Sequence, residues 1–298
     1  MKKFYALLLS TLIPFIGIDA QKPIKVTADS IPFGKSKYPG IIVTIPEANM
    51  ETVHKDWVKS LQSGTRSKVV TENEEMTILG ANIKEISKSP VNVYSKIINQ
   101  DSLVQLSAII EFKKDVYAES GSGELEFNAA KNYLKEFAKD EYVAFAKDQL
   151  QVEEKKLKDL ENEFSSLKND KSKEEKSIEN NKERIQSEKD NISAQNAELA
   201  KLEAELINQN SQLDAMEEGV ARDEKQKFIK NLEKQKNKLT KDIESSEKKI
   251  KKAESEIEES YAAIPRIETS QDDIRNRIAN QEAIRNRFAE KLDTIKAY

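Results

Sequence analysis

The chain contains no cysteine, one histidine and one tryptophan, and after residue 123 its only glycine is Gly219 and its only proline Pro265. Without cysteine there is no thiolate ligand, no redox pair and no disulfide, so stability has to come from packing and helix pairing. A lone histidine, His54, excludes multi-histidine zinc sites and, together with the missing cysteine, most catalytic dyads and triads. His54 follows Val53 and precedes Trp57 by three residues, the position of a surface or half-buried helical residue. Alternating acidic residues followed by glycine, the calcium-loop pattern, are also missing. So is an excess of one charge sign: 34% of residues are charged but the net charge is only -4, which describes a solvated surface rather than a nucleic-acid or membrane patch.

What the N-terminus does contain is a secretory pattern. Met1-Lys2-Lys3 is followed by an apolar stretch from Phe4 to Ile18 and then Asp19-Ala20-Gln21. This predicts a signal peptide over residues 1-20, cleaved after Ala20. The apolar run is interrupted by Pro14 and falls short of the ~20 residues needed to cross a bilayer. No later stretch is apolar enough to span, and no cysteine follows to accept a lipid. The expected product is a soluble periplasmic or secreted protein with no membrane span after cleavage.

Glycine and proline disrupt helix interiors, so their distribution divides the chain. Residues 21-123 hold most of both and read as a small α+β domain. Ile41 to Ile45, bounded by Pro39-Gly40 and Pro46, is a short buried strand. Asn49 is a helix cap, after which Val53, Trp57 and Leu61 repeat along one face. That spacing makes Trp57 a core residue in preference to a partner's anchor. Further strands are expected around Lys68 to Val70, Met76 to Ile86 and Val91 to Ile98, and at Val104, Leu106, Ala108, Ile110 and Phe112, apolar at every second position. Gln21 to Lys37 adds an edge strand or remains an arm. After a Gly121-Ser122-Gly123 linker, Phe127, Ala130, Leu134 and Phe137 form a helical apolar stripe that covers the sheet. The expected fold class is α+β, a small two-layer α/β sandwich followed by a long antiparallel α-helical coiled-coil hairpin.

Residues 124-298 hold 34 basic and 40 acidic residues, a composition that means long helix or disorder. Periodicity decides for helix. Leu157, Phe164, Lys171, Ile178, Ile185, Ile192, Leu199, Leu206, Leu213 and Val220 recur every seven residues and are apolar at all but Lys171. The companion row, Leu160, Leu167, Glu174, Asn181, Glu188, Gln195, Leu202, Gln209 and Met216, is polar through its middle, where looser packing is expected. A second pair of rows, begun by Ile229 and Leu232, runs to Leu292 and Ile295 in a different phase. A turn near residues 218-224 resets the phase and folds the segment into a hairpin. The rival arrangement is an intermolecular coiled coil with a stutter at Gly219, which leaves a homo-oligomer open. Pro265, next to core-facing Ile264, is expected to kink or interrupt the second helix.

Long coiled coils invite comparison with the structural-maintenance ATPases, but no G-x-x-x-x-G-K-[ST] loop is present and Gly121-Ser122-Gly123 lacks its lysine. The lysine-rich stretch Lys225 to Lys252 includes Glu233, Asp242, Glu244 and Glu247 and only Phe228 as an aromatic, so no nucleic-acid partner is expected. Carboxylates on solvated helix faces lack the dry, converging setting that acid-base catalysis needs. With the signal, the Tyr38-Pro39-Gly40 strand start, the Trp57 helix and the coiled-coil tail in view, the chain resembles uncharacterised exported bacterial proteins of the same layout. That resemblance rests on architecture and implies no activity. A looser one is to periplasmic chaperones of the Skp type, which hold clients between helical tentacles, although their tentacles return into strands and their surface is basic. The expected function is therefore non-enzymatic, without cofactor, metal or catalytic residues: an envelope spacer, scaffold or protein-interaction module with an unidentified protein partner. The alternatives are a tentacled holdase and an enzyme with a cryptic site in residues 21-123.

Overall fold

The structure, a computed structural model, describes residues 22-101, 103-121 and 123-298. The expected signal segment and Ser122 of the glycine linker lie outside the described residues. The chain divides into two compact units, one running to Lys155 and including Ala283-Tyr298, the other Lys156-Glu282.

The first unit is built on an antiparallel sheet of β1 (Val26–Phe33), β2 (Ser36–Pro46), β3 (Val70–Glu72), β4 (Glu75–Ala81), β5 (Val91–Gln100), β6 (Leu103–Lys113) and β7 (Val116–Tyr117), in the order β1-β2-β6-β5-β4-β3 with β7 also on β6. The Gln21 to Lys37 segment thus supplies an edge strand. Strand parity puts Ile41, Val43, Ile45, Val93, Ile97, Val104, Leu106, Ala108 and Ile110 on one face, all nearly inaccessible to solvent. Helix α1 (Met50–Leu61) and the start of α2 (Glu124–Asp214) cover that face. Asn49 caps α1 by accepting from the N–H groups of Glu51 and Thr52 at 2.9 and 3.1 Å. Val53, Trp57 and Leu61 face inward, and the Trp57 indole donates to Ser95 Oγ at 2.9 Å while its ring meets Phe137 edge-on at 5.0 Å. Phe127, Ala130, Leu134 and Ala138 of α2 complete the core.

Turn chemistry accounts for the strand boundaries that differ from expectation. The apolar alternation after Met76 suggests a strand to Ile86, but Gly80 adopts φ +78° at a bulge and β4 ends at Ala81. Ile83 and Ile86 are buried from a turn closed by Ile86 N–H donating to the Ile83 carbonyl, so three-residue spacing replaces alternation. β3 starts at Val70 because it is paired through a tight turn in which Asn73 and Glu74 both have positive φ. Gly40 is fixed by space: a Cβ there would lie 2.3 Å from Ile31 Cδ1 and 2.8 Å from the Ala108 carbonyl oxygen.

In the second unit α2 and α3 (Val220–Lys296) pack as an antiparallel coiled coil. Ion pairs set the register: Lys171 with Glu268 at 2.7 Å, Glu188 with Lys249 at 2.9 Å and Glu203 with Lys236 at 2.7 Å, each advance along α2 being matched by a retreat along α3. The two heptad rows of each helix are its least exposed positions. Val220 is the exception at 76% exposure, because α2 ends at Asp214 and Val220 already opens α3. Arg222 closes the break by donating to the carbonyls of Leu213 and Met216.

In the seam's middle, large residues of α2 face small residues of α3. The register sets Ile178, Ile185 and Ile192 level with Ser260, Ala253 and Ser246, small residues that are 4%, 0% and 5% exposed. Large-on-small layers let the helix axes approach, as close packing requires. Polarity carries a cost in the same stretch: Glu188 Oε2 and Gln195 Oε1, and nearer the turn Gln209 Oε1, are buried with no hydrogen-bond partner. Pro265 does not interrupt α3, which runs unbroken through it. The proline is exposed, as is Tyr261, whose carbonyl loses its partner, so water can satisfy that oxygen.

Gln195 lies level with Ile243, so Gln195→Leu removes a stranded acceptor and adds apolar contact. The expected result is a rise in stability of about 1–2 kcal/mol, read by thermal denaturation followed through the helical signal. A loss of stability would contradict this account of the seam.

Candidate functional site

In the first unit a concavity of ≈ 740 Å³ lies where β2 runs into α1. Glu47 and Asn49 line it from the β2–α1 junction, Glu51 and His54 from α1, Asn99 from the end of β5, Asp101 from the turn after it, and Phe145 from α2. The backbone explains how these groups converge. Pro46 ends β2, Glu47 takes φ 57° and so turns the chain sharply, and Asn49 immediately caps the helix. Asp101 takes φ 52° in the β5–β6 turn, which brings the rim residues Asn99 and Asp101 to the same end of the sheet. His54 is half-buried on α1, as its spacing predicts, but it lines this concavity, which spacing alone does not show.

Glu47 is the most constrained of these groups. Lys291 of α3 forms an ion pair with Glu47 Oε2, Tyr142 donates to Glu47 Oε1 at 3.5 Å, and Lys291 also donates to Gln149 Oε1 at 3.1 Å. The side chains of Lys291 and Glu47 are 10% and 20% exposed, so losing either would strand a largely desolvated charge. Burial, followed by the Glu47 charge, pushes the Tyr142 hydroxyl well above its ordinary range. Below it, Tyr142, Ala146, Leu292 and Ile295 form a small apolar cluster in which Tyr142 and Ile295 are fully buried.

Glu141, next along α2, is half-buried. Burial first, then the charges of Asp56 and Asp140, raise its pKa from 4.5 to about 7. On the opposite face of the sheet Glu111 is 8% exposed and fully engaged, accepting from Asn92 Nδ2 at 2.9 Å, the Tyr94 hydroxyl at 3.0 Å and the Asp115 N–H at 3.1 Å. The Asn92 bond, with the other donors, holds Glu111 below the ordinary carboxylate range, while burial and Glu111 push Tyr94 up to about 12. This cluster joins β5, β6 and the β6–β7 turn and has no spare acceptor geometry pointing to a ligand. Among the described residues no group of three or more histidine, aspartate or glutamate side chains is gathered to hold a metal ion. No helix among them is long and apolar enough to cross a membrane.

The concavity has no signature in the sequence, because its residues come from separated segments and carry no motif. The one local signal is Pro46-Glu47-Ala48-Asn49, a strand end followed within three residues by a helix cap.

No protein-family model matches the sequence, and no curated protein does. A coiled-coil segment of Pyrococcus yayanosii Smc, known from its crystal structure, is similar at 20% identity and a TM-score of 0.40, with 58% of this chain and 74% of that chain covered. A likeness at that level carries no argument about function.

The Glu141 shift fixes a sign. Because its folded-state pKa lies above the unfolded value, the folded chain keeps a proton that the unfolded chain has released, and the stability it contributes is complete below pH 4.5 and lost as pH rises through about 7. Glu141→Gln is therefore expected to raise the unfolding temperature at pH 8 and to match the parent near pH 4.5. Thermal melts across that range test this; a difference independent of pH would contradict it.

Proposed function

We propose that this is an exported, non-enzymatic interaction module in which the sheet unit binds a protein partner at the Glu47–Asp101 concavity and the paired helices serve as a spacer. The observation that carries the reading is the division of labour within the chain. The helical unit covers its own seam through cross-helix layers and ion pairs, whereas the sheet unit keeps an open concavity lined by polar groups together with Ala48, Met50 and Phe145. Concave surfaces with apolar floors and a few placed polar groups are where ligand and partner contacts concentrate. Rigid helix pairing supports a spacer role, since at about 1.5 Å per residue the α2 segment after Lys156 extends on the order of 90 Å. Export rests on the Met1–Ala20 pattern alone.

The reading is tested in the native cell by placing a photo-crosslinking residue at Met50, Asn99 or Asp101 and, as a control, at Ala197 on the exposed face of α2. One protein adduct common to the three concavity positions, absent from the control, recovered with the envelope and lost on Asp101→Lys, is the expected result. Adducts equal at all four positions, none at all, or a chain retained in the cytoplasm would contradict it. Suppression of aggregation of many unfolded clients would instead favour the holdase.

A further inference from the structure

The lysine-rich stretch 225–252 holds eleven lysines against four carboxylates, Glu233, Asp242, Glu244 and Glu247. Taken as a string, its signs look mixed. The coiled-coil phase sorts them. Lys225, Lys236 and Lys249 face α2 and are bonded to it, through Gln212 at 2.6 Å, Glu203 at 2.7 Å and Glu188 at 2.9 Å. The remaining eight, Lys227, Lys230, Lys234, Lys238, Lys241, Lys248, Lys251 and Lys252, all fall on the three heptad positions furthest from the seam, and all are exposed. Lys227, Lys234, Lys241 and Lys248 repeat every seven residues along the outermost line. Of the four carboxylates, Glu233, Asp242 and Glu247 sit at positions flanking the seam, and only Glu244 shares the outer face.

The ridge is not neutralised by its surroundings. Of these eight lysines, Lys252 alone forms an ion pair among the described residues, with Glu256 at 3.6 Å on its own helix. The outer line of α2 at the same level is Asp190, Ala197, Ala204 and Ser211, which holds one carboxylate, near Lys248, and is otherwise uncharged. Eight like charges on one face repel one another, and Lys at i and i+4 weakens a helix slightly, so the row costs stability without serving the seam.

We propose that this ridge is a docking surface for an anionic lipid bilayer. The row is on the order of 40 Å long at the helical rise and borne on the outer face of one helix, so several of its ammonium groups can reach the headgroups of an anionic plane at once. The outer face of this stretch carries no arginine for bidentate contacts and no aromatic side chain for base stacking, which favours a bilayer over a nucleic acid. A second copy stacked level with this stretch offers no match, since the outer line of its α2 carries a single carboxylate, Asp190, there. Exposed Phe228 lies beside the ridge, 46% exposed, and the outer face itself carries no large apolar residue, so binding is electrostatic and peripheral. It is correspondingly weakened by salt.

The test is sedimentation of the full chain with vesicles of phosphatidylcholine alone or with one third phosphatidylglycerol, at low and at physiological salt. Binding is expected only to the anionic vesicles and to fall with salt. A basic residue at an anionic surface contributes roughly a fivefold factor, so joint replacement of Lys227, Lys234, Lys241 and Lys248 by Gln is expected to weaken binding about a hundredfold or more. Replacing Lys158, Lys168, Lys176 and Lys182 by Gln makes the same change in net charge on α2 and is expected to leave most of the binding. Helical content of both variants, read by circular dichroism, is expected to match the parent. No binding of the parent to anionic vesicles at low salt, an equal loss in both variants, or binding to duplex DNA but not to vesicles would overturn the proposal. This inference does not depend on the partner assigned to the sheet unit.

Discussion

Half of this molecule depends on one constraint: a stripe of apolar residues repeating every 3.5 positions on a helix must be covered, and here the cover is the same chain running back. Burying a leucine or isoleucine contributes roughly 1.5–3 kcal/mol, against about 0–1 kcal/mol for an exposed ion pair. The apolar layers therefore supply the stability. The cross-helix pairs Lys171–Glu268, Glu188–Lys249 and Glu203–Lys236 choose the alignment, since a slip of one heptad would break all three and would set one of the three isoleucines against Leu239 or Ile267 in place of the small residues that now admit close approach. The unpartnered amide oxygens of Gln195 and Gln209 are the cost of the polar positions.

The sheet unit is held differently. Its core is closed by α1 and by the Phe127–Ala138 face of α2, and at its end Glu47 collects Lys291 and Tyr142. A carboxylate at a sharp left-handed turn thus ties the strand-to-helix junction to the last turns of α3. The same junction shapes the concavity, so the residues that fix the fold there also line it. Glu141 adds a cluster of acidic groups close by, and its raised pKa reflects burial together with the charges of Asp56 and Asp140.

Much of this was legible in the residues. The two heptad rows of each helix, the Asn49 cap, the Val53-Trp57-Leu61 face and the alternation of Val104 to Ile110 are local regularities with one physical reading each. What was not legible depends on placement. The end of β4 at Ala81 follows from a bulge at Gly80, the tight turn at Asn73-Glu74 lacks the usual glycine, and Pro265 was tolerated because it faces solvent. The concavity around His54 draws on segments far apart in the chain, from Glu47 to Phe145. The lysine ridge was hidden by composition and emerges once each residue is assigned to the inner or outer face.

The central claim, that the seam closes within one chain, is tested most directly with a pair of cysteines, which the parent lacks altogether. Glu203→Cys with Lys236→Cys replaces two side chains that meet across the helices at 2.7 Å. Treatment with a short bis-maleimide at low protein concentration, followed by intact mass measurement, is expected to give a singly bridged monomer. Bridged dimers without bridged monomer would contradict the hairpin and place the partner helix in a second chain.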